Sequence, residues 1–205
     1  MQVKVKSVAE DARSETSSAR RAQIIDAAVA VIADAGYAKA SFSRIAERAG
    51  LSSTRFISYH FDGKGDLMAA VVRDVIADIG EYVGTRVRPE TTAAGMLRTY
   101  ITSVVGFIDT HRAPMIALTE VLLGVGFDDG IAADQRATAQ LEAILRHGQA
   151  SGEFRDFDPW VMATAVQRAV GGLPFVLQAD PRVDCDAYAR ELVTLFRLAT
   201  ARSDR

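Results

Sequence analysis

Residues 41–61 gather the side chains whose types and spacing could do chemistry. They read Ser41-Phe-Ser-Arg-Ile-Ala-Glu-Arg-Ala-Gly50-Leu-Ser-Ser-Thr-Arg-Phe-Ile-Ser-Tyr-His-Phe61. Ser41 is a capping residue for a short helix ending near Ala49, with Ile45 and Ala46 facing inward. Gly50 permits a turn that a side chain would oppose. A second short helix follows over 54–60. Ile57 and Phe61, four apart, anchor it inward and leave Thr54, Arg55, Ser58 and Tyr59 facing outward. That outward set suits a DNA major groove. Hydroxyls bond phosphates or base edges, arginine reads guanine, and an aromatic edge touches thymine methyls. An ordinary solvated helix face would carry the same residues.

Other chemistries find little support. His60, His111 and His147 lack the spacing of metal ligands on a helix. Asp128-Asp129 and Asp184-Cys185-Asp186 read as helix starts, where acids stabilise the dipole. There is no glycine-rich phosphate loop and no Gly-x-Ser-x-Gly elbow. The single cysteine, Cys185, lies beside two acids, which raises its thiol pKa and lowers its reactivity. No catalytic residue, metal or cofactor is therefore expected, and no enzyme activity.

Two short helices cannot bury much alone, so a third must support them. Ile24, Ala28, Val31, Ile32 and Ala35 form one helical stripe, and Gly36 stops that helix. The three make a helix-turn-helix unit. A longer helix is predicted over 66–86, and Pro89 ends the connection. The rest reads as four or five more helices. Residues 91–110 carry Leu97, Tyr100, Ile101, Val104 and Ile108 on one face, widened by Met96 and Phe107. Pro114 starts a helix through Leu123. Gly124, Gly126 and Gly130 mark a loop, and a helix over 131–151 stops at Gly152. Asp158-Pro159 caps a helix running to about 178, bent at Gly171-Gly172 and Pro174. Asp184 caps a last helix with the stripe Tyr188, Leu192, Leu195, Phe196 and Ala199. Strand-like alternation is absent, so the fold is all-α. It comprises an N-terminal helix-turn-helix domain over 18–64 and a C-terminal helical domain over 65–205. A flexible tail over 1–17 precedes them, in which Lys4, Lys6 and Arg13, with Arg20 beyond it, form either a basic arm or a plain solvated segment.

The formal net charge of −2 argues against nucleic acid when taken whole. Split by region, residues 1–64 hold 10 basic and 7 acidic side chains, and residues 65–205 hold 14 and 19. The acidic average hides a modestly basic head. A lone cysteine fits a reducing cytoplasm. The apolar stretch 160–177 is somewhat short for a membrane span and carries Gln167 and Arg168. It reads as a helix buried on more than one side of a soluble protein.

Dispersed matches in order give the first 70 or so residues a specific resemblance. They are Arg21-Ala-Gln-Ile-Ile-Asp-Ala-Ala28, Gly36-Tyr37, Ile45-Ala46, Ala49-Gly50, and Tyr59-His60-Phe61 followed by Asp62-Gly63-Lys64-Gly65-Asp66-Leu67. Together these resemble the opening helix, glycine–aromatic stop, turn, and recognition-helix end of the tetracycline-repressor (TetR) family of bacterial regulators. From Gly50 to Phe61 the chain is one residue longer than the commonest family pattern. Ser58 then stands where the family usually has tyrosine, and Tyr59 takes the next position. The turn over 50–53 absorbs the extra residue, with Ser53 as the helix cap.

The resemblance implies a homodimeric, ligand-responsive regulator, a repressor released from palindromic double-stranded operator DNA by a small molecule. It assigns Ser43 and Arg44 to the groove edge, Ser53, Thr54, Arg55, Ser58 and Tyr59 to the groove region, and Lys64 to a phosphate. His60 either meets phosphate or completes packing. Ala169-Val-Gly-Gly-Leu173 and Asp180-Pro-Arg-Val-Asp184 resemble the family's last two helices. They imply a dimer interface through Ala169, Gly171, Gly172, Phe175, Tyr188, Leu192, Leu195 and Phe196; a purely intramolecular core is the alternative. Tyr100, Ser103, Phe107, Met115, Thr119, Leu122, Met162 and Gln167 are ligand-binding candidates that also read as plain core. An all-helical small-molecule carrier or sensor without operator binding is the competing function.

Overall fold

The computed structural model describes residues 3–125 and 128–202. It is all-α: among the described residues there is no strand, only an isolated bridge between Phe154 and Ala201. The helices are α1 (Val3–Ala35), α2 (Phe42–Arg48), α3 (Arg55–His60), α4 (Lys64–Val87), α5 (Ala93–Thr110) and α6 (Arg112–Val125). They continue with α7 (Asp128–Ala150), α8 (Pro159–Gly171), α9 (Leu173–Ala179) and α10 (Cys185–Thr200). A 3-10 turn over Tyr37–Lys39 joins α1 to α2.

The chain packs as two units. The first holds the residues through Val72 together with Ile116–Val125; the second holds Arg73–Met115 and Gly126–Arg205. In the first, Ile24, Ala28, Val31 and Ile32 of α1 are buried, as are Ile45 and Ala46 of α2, Ile57 of α3 and Phe61. The boundary expected at Lys64 lies further on. Leu67, Met68, Val71 and Val72 of α4 are fully buried and extend that unit's core by two turns. From Val3 onward the expected tail is continuous with α1, since no glycine or proline precedes Gly36 to break a helix. The side chains of Lys4, Lys6 and Arg13 lie outside the described residues.

In the second unit, α5 buries Leu97, Tyr100, Ile101, Phe107 and Ile108, much as its spacing predicts. The expected glycine loop is shorter than predicted: Gly124 falls inside α6 and Gly130 inside α7, while Gly126 lies outside the described residues. Asp158 Oδ1 accepts from the amides of Trp160 and Val161, so α8 begins at the expected cap. The helix expected to continue to about 178 breaks at Gly172, because Pro174 has no amide to donate and instead opens α9. Pro159–Ala179 is long and apolar enough to cross a membrane by length and composition, yet it forms two helices with one flank in the core.

That segment is not buried on all sides within one chain. Val166, Val170 and Leu173 are fully buried, but Trp160, Val161, Phe175 and Val176 are exposed. Helix α10 runs antiparallel to α8. Near its start, the Tyr188 hydroxyl donates to Ala169 O (3.0 Å); at its end, Thr200 O accepts from Arg155 N (3.0 Å), just ahead of α8.

Candidate nucleic-acid interface

Local chemistry fixes the helix-turn-helix. Ser41 Oγ accepts from Arg44 N at 3.4 Å and starts α2. Helix α2 ends in a Schellman turn: Leu51 N donates to Ala46 O (2.8 Å) and Gly50 N to Glu47 O (3.1 Å). Gly50 takes φ +64°, a left-handed conformation that costs any residue with a Cβ. Ser53 Oγ then accepts from Arg55 N (3.2 Å), although the N-cap of α3 is Thr54, one residue after the expected serine. After Phe61, Asp66 reaches back to accept from Asp62 N (3.2 Å) at the start of α4.

Helix α1 carries this pair of helices. Gln23 Nε2 donates to Ala49 O (2.7 Å), Arg48 pairs with Asp34 (2.6 Å), and the Arg21 guanidinium lies 5.0 Å from the centre of the Phe61 ring. Ile57 and Phe61 are inward, as their spacing predicts. Ser43, Arg44, Arg55 and Ser58 are exposed, Ser53 and Thr54 are half-buried, and Tyr59 is 82% exposed. The fit is a short helix held by two apolar anchors, with a hydroxyl, a guanidinium and a phenol on its free side. Phe56, 45% exposed on the same helix, escaped the sequence reading. Its signal was its place next to Ile57, off the inward face.

Two candidates are more occupied than expected. The Lys64 Nζ donates to Tyr37 O (2.9 Å) and stands 4.1 Å from the centre of the Tyr37 ring. It is therefore not a free surface cation, although an ammonium keeps two further donors. His60 is half-buried with its ring edge-on to Tyr59 at 5.1 Å, which supplies its packing role. Arg20 donates to Gln23 Oε1 (2.7 Å). Tyr37 is also held from the other side. Its amide donates to Glu120 Oε2 (3.1 Å), and a Cβ on Gly124 would stand 2.8 Å from its ring.

The ligand candidates are divided between the two units. Thr119 and Leu122 belong to the first unit; Tyr100, Ser103, Phe107, Met115, Met162 and Gln167 belong to the second. Tyr100, Ser103, Phe107 and Met115 are buried, Met162 half-buried. The Tyr100 hydroxyl donates to Gln167 Oε1 (2.7 Å), and Gln167 Nε2 to Asp134 Oδ1 (3.4 Å); Asp134 also pairs with Arg168. Burial, then the nearby Asp134 charge, pushes the Tyr100 phenol well above its ordinary pKa, so it stays a neutral donor. Sequence reasoning missed Asp134, which lies on α7, far from Gln167 in the chain. Burial also raises the Cys185 thiol, ahead of its hydrogen bond to Asp109; the neighbouring Asp184 contributes least.

The interface candidates divide. Phe175 and Leu195 are exposed, at 50% and 56%, and Gly171 is exposed as well. Ala169, Gly172, Tyr188 and Leu192 are half-buried. Phe196 is buried inside its own chain, because it lies on the core side of α10, and is unavailable to a partner. Leu198, 62% exposed, joins Leu195 on the free side instead.

The first unit therefore defines a class: a helix-turn-helix module with an exposed recognition-type helix. Residues 24–71 match the family model of the bacterial regulatory proteins of the tetR family. Over these residues the chain carries a DNA-binding domain of the type this family model describes. It is 37% identical over 100 residues to the HTH-type transcriptional regulator BetI of Cronobacter sakazakii, covering 48% of this chain and 49% of that one. It is 42% identical over 67 residues to BetI 1 of Chromohalobacter salexigens, 33% of each chain. The match thus spans about half, or less, of the length of these curated relatives. The fold is shared more widely. A tetR-family regulatory protein from Rhodococcus RHA1 superposes with a TM-score of 0.77 at 22% identity, covering 90% of this chain and 98% of that one. FadR from Bacillus subtilis, solved with stearoyl-CoA, gives 0.76 at 22% over 84% and 95%. AibR, solved with isovaleryl coenzyme A and operator DNA, gives 0.72 at 19% over 86% and 97%.

Proposed function

We propose that the protein is a cytoplasmic, homodimeric transcriptional regulator that binds a palindromic operator and is released from it by a small molecule. One observation carries the reading. A six-residue helix is pinned by Ile57 and Phe61 while Arg55, Phe56, Ser58 and Tyr59 stand free beside it. On this reading Arg55 and Tyr59 read bases, and Ser43, Arg44, Ser53, Thr54 and Ser58 set the register on the backbone. Lys64 supplies a phosphate contact while holding Tyr37.

Each helix-turn-helix reads one half-site, so a dimer reads two. Phe175, Val176, Leu195 and Leu198 are among the exposed apolar residues left for a second copy. Their exposure in one chain supports pairing through α8–α10. The effector site is built on the buried Tyr100–Gln167 pair with Asp134 behind it. AibR and FadR carry coenzyme A thioesters on this fold, so acyl-CoA compounds head the effector panel. By linkage, an effector that favours the form unable to bind DNA weakens operator binding, and DNA weakens effector binding equally.

Gel shifts with the DNA upstream of its own gene test the reading. A salt-sensitive shift, relieved by a member of the panel, is the expected outcome. No shift on any genomic fragment would favour a helical carrier that does not bind DNA.

A further inference from the structure

A groove of about 380 Å³ lies between α5 and the C-terminal part of α10, within the range that holds small molecules. None of Tyr100, Gln167 and Asp134 lines it. Its floor is apolar: Leu97, Ile101 and Phe154 line it and are almost entirely buried. Around that floor stand three guanidinium groups, Arg98, Arg197 and Arg202, against one carboxylate, Glu153.

The carboxylate is already used. Its two oxygens accept from Ala93 N and Ala94 N, each at 3.1 Å, and Ser151 Oγ donates to it as well. These bonds, that from Ala94 first, hold Glu153 below the usual carboxylate range and commit it to capping α5. Arg98 stands 3.7 Å from Glu90, and Arg202 donates to Gly152 O. The carbonyl of Arg197 accepts from Ala201 N and Thr200 Oγ1, but its guanidinium has no hydrogen bond or ion pair among the described residues. An apolar floor under an unspent guanidinium, with two more beside it, complements one kind of occupant: an apolar chain ending in an anion.

We propose that this groove binds a small amphipathic anion, its carboxylate or phosphate head on Arg197 and its apolar tail over Leu97, Ile101 and Phe154. The site is separate from the proposed effector site and does not depend on DNA recognition.

Calorimetric titration of the full-length protein tests it, with octanoate, octyl phosphate, octanol and octylammonium as probes. Octanoate or octyl phosphate, or both, should bind once per chain, and octanol and octylammonium at least about tenfold more weakly. The tighter of the two anions identifies the head group. Arg197→Gln removes an exposed side chain without partners, so the fold, checked by circular dichroism, should survive. It should lower the affinity for the better anion at least about tenfold, and Gln167→Leu should leave that affinity unchanged. Equal binding of octanol, no effect of Arg197→Gln, or loss in Gln167→Leu would each overturn the assignment, as would no binding of either anion. Operator binding enters none of these readouts, so the groove and the regulator reading fail separately.

Discussion

Lys64→Met keeps the apolar stem of the side chain and removes its ammonium. Two contacts go with it: the bond to Tyr37 O at 2.9 Å and the approach to the Tyr37 ring at 4.1 Å. A hydrogen bond to a charged donor is worth about 1.5–3 kcal/mol, and the low end applies to a half-buried lysine. The cation–π contact adds about 0.5–1 kcal/mol. Some of this sum is lost again to the entropy of holding a long side chain. Tyr37 O keeps Ala40 N at 3.1 Å, so no acceptor is orphaned. The expected net loss is about 1–2 kcal/mol, or a fall in Tm of about 2–8 °C for a chain of this size. Operator binding should weaken too, and the slope of log K against log salt should shrink by about 0.9 per half-site. Thermal melts followed by circular dichroism and operator anisotropy across a salt series read the two effects apart. An unchanged Tm would refute the structural role argued from these distances. An unchanged slope with a lowered Tm would mean that Lys64 holds Tyr37 and touches no phosphate.

Tyr59→Ala removes a side chain that is 82% exposed, so the melt should move little. Operator affinity should fall by a factor on the order of 10, with altered base preference in selection from random DNA; an unchanged preference would sink its base-reading role. Phe175→Glu combined with Leu195→Glu places charge on the exposed apolar face, and sedimentation should then show monomers with unchanged helicity. A dimer that persists would exclude that face. Burial raises the Tyr100 phenol, so the folded state holds its proton more tightly than the unfolded chain. That stabilisation is complete below the ordinary tyrosine pKa of about 10 and declines as pH rises above it. Tyr100→Phe should lessen the alkaline loss in urea midpoints measured from pH 8 to 11, and an identical alkaline slope would count against the assignment.

What the sequence disclosed was local. Ser41, Asp158 and Asp184 cap helices through bonds that span two or three residues, Ser53 holds the amide of Arg55 over a like span, and Gly50 turns the chain through its own φ. Such features depend on neighbours that a reader can see. Partners far along the chain are another matter. Nothing in the pattern of α6 says that its second half packs with the helix-turn-helix, nor that Asp134 meets Gln167 and Arg168. Of the stripe on α10, Phe196 faces the core and Leu195 does not. Phe196 and Leu195 are adjacent and both apolar, and only packing on α5 decides which is buried. Arg197 lies on the exposed side of α10, and nothing in its neighbours along the chain signals the groove it lines.

Tyr37 shows how such distant partners bear on the proposed regulation. Its amide is bound by Glu120 of α6 and its carbonyl by Lys64 of α4, so a single peptide segment ties both helices to the turn before α2. Each of these helices also contributes residues to the second unit: α4 from Arg73 on, α6 through Met115. The two bonds act on the same residue, so their energies should not add. A double-mutant cycle with Lys64→Met and Glu120→Ala should give a coupling of at least about 0.5 kcal/mol in urea unfolding, above the scatter of independent sites. Allosteric linkage typically amounts to about 1–3 kcal/mol, so a coupling of that minimum size would carry only part of it. The same cycle read in operator affinity should show coupling of the same sign. Strict additivity in both measurements would mean that Tyr37 joins the helices without transmitting anything between them.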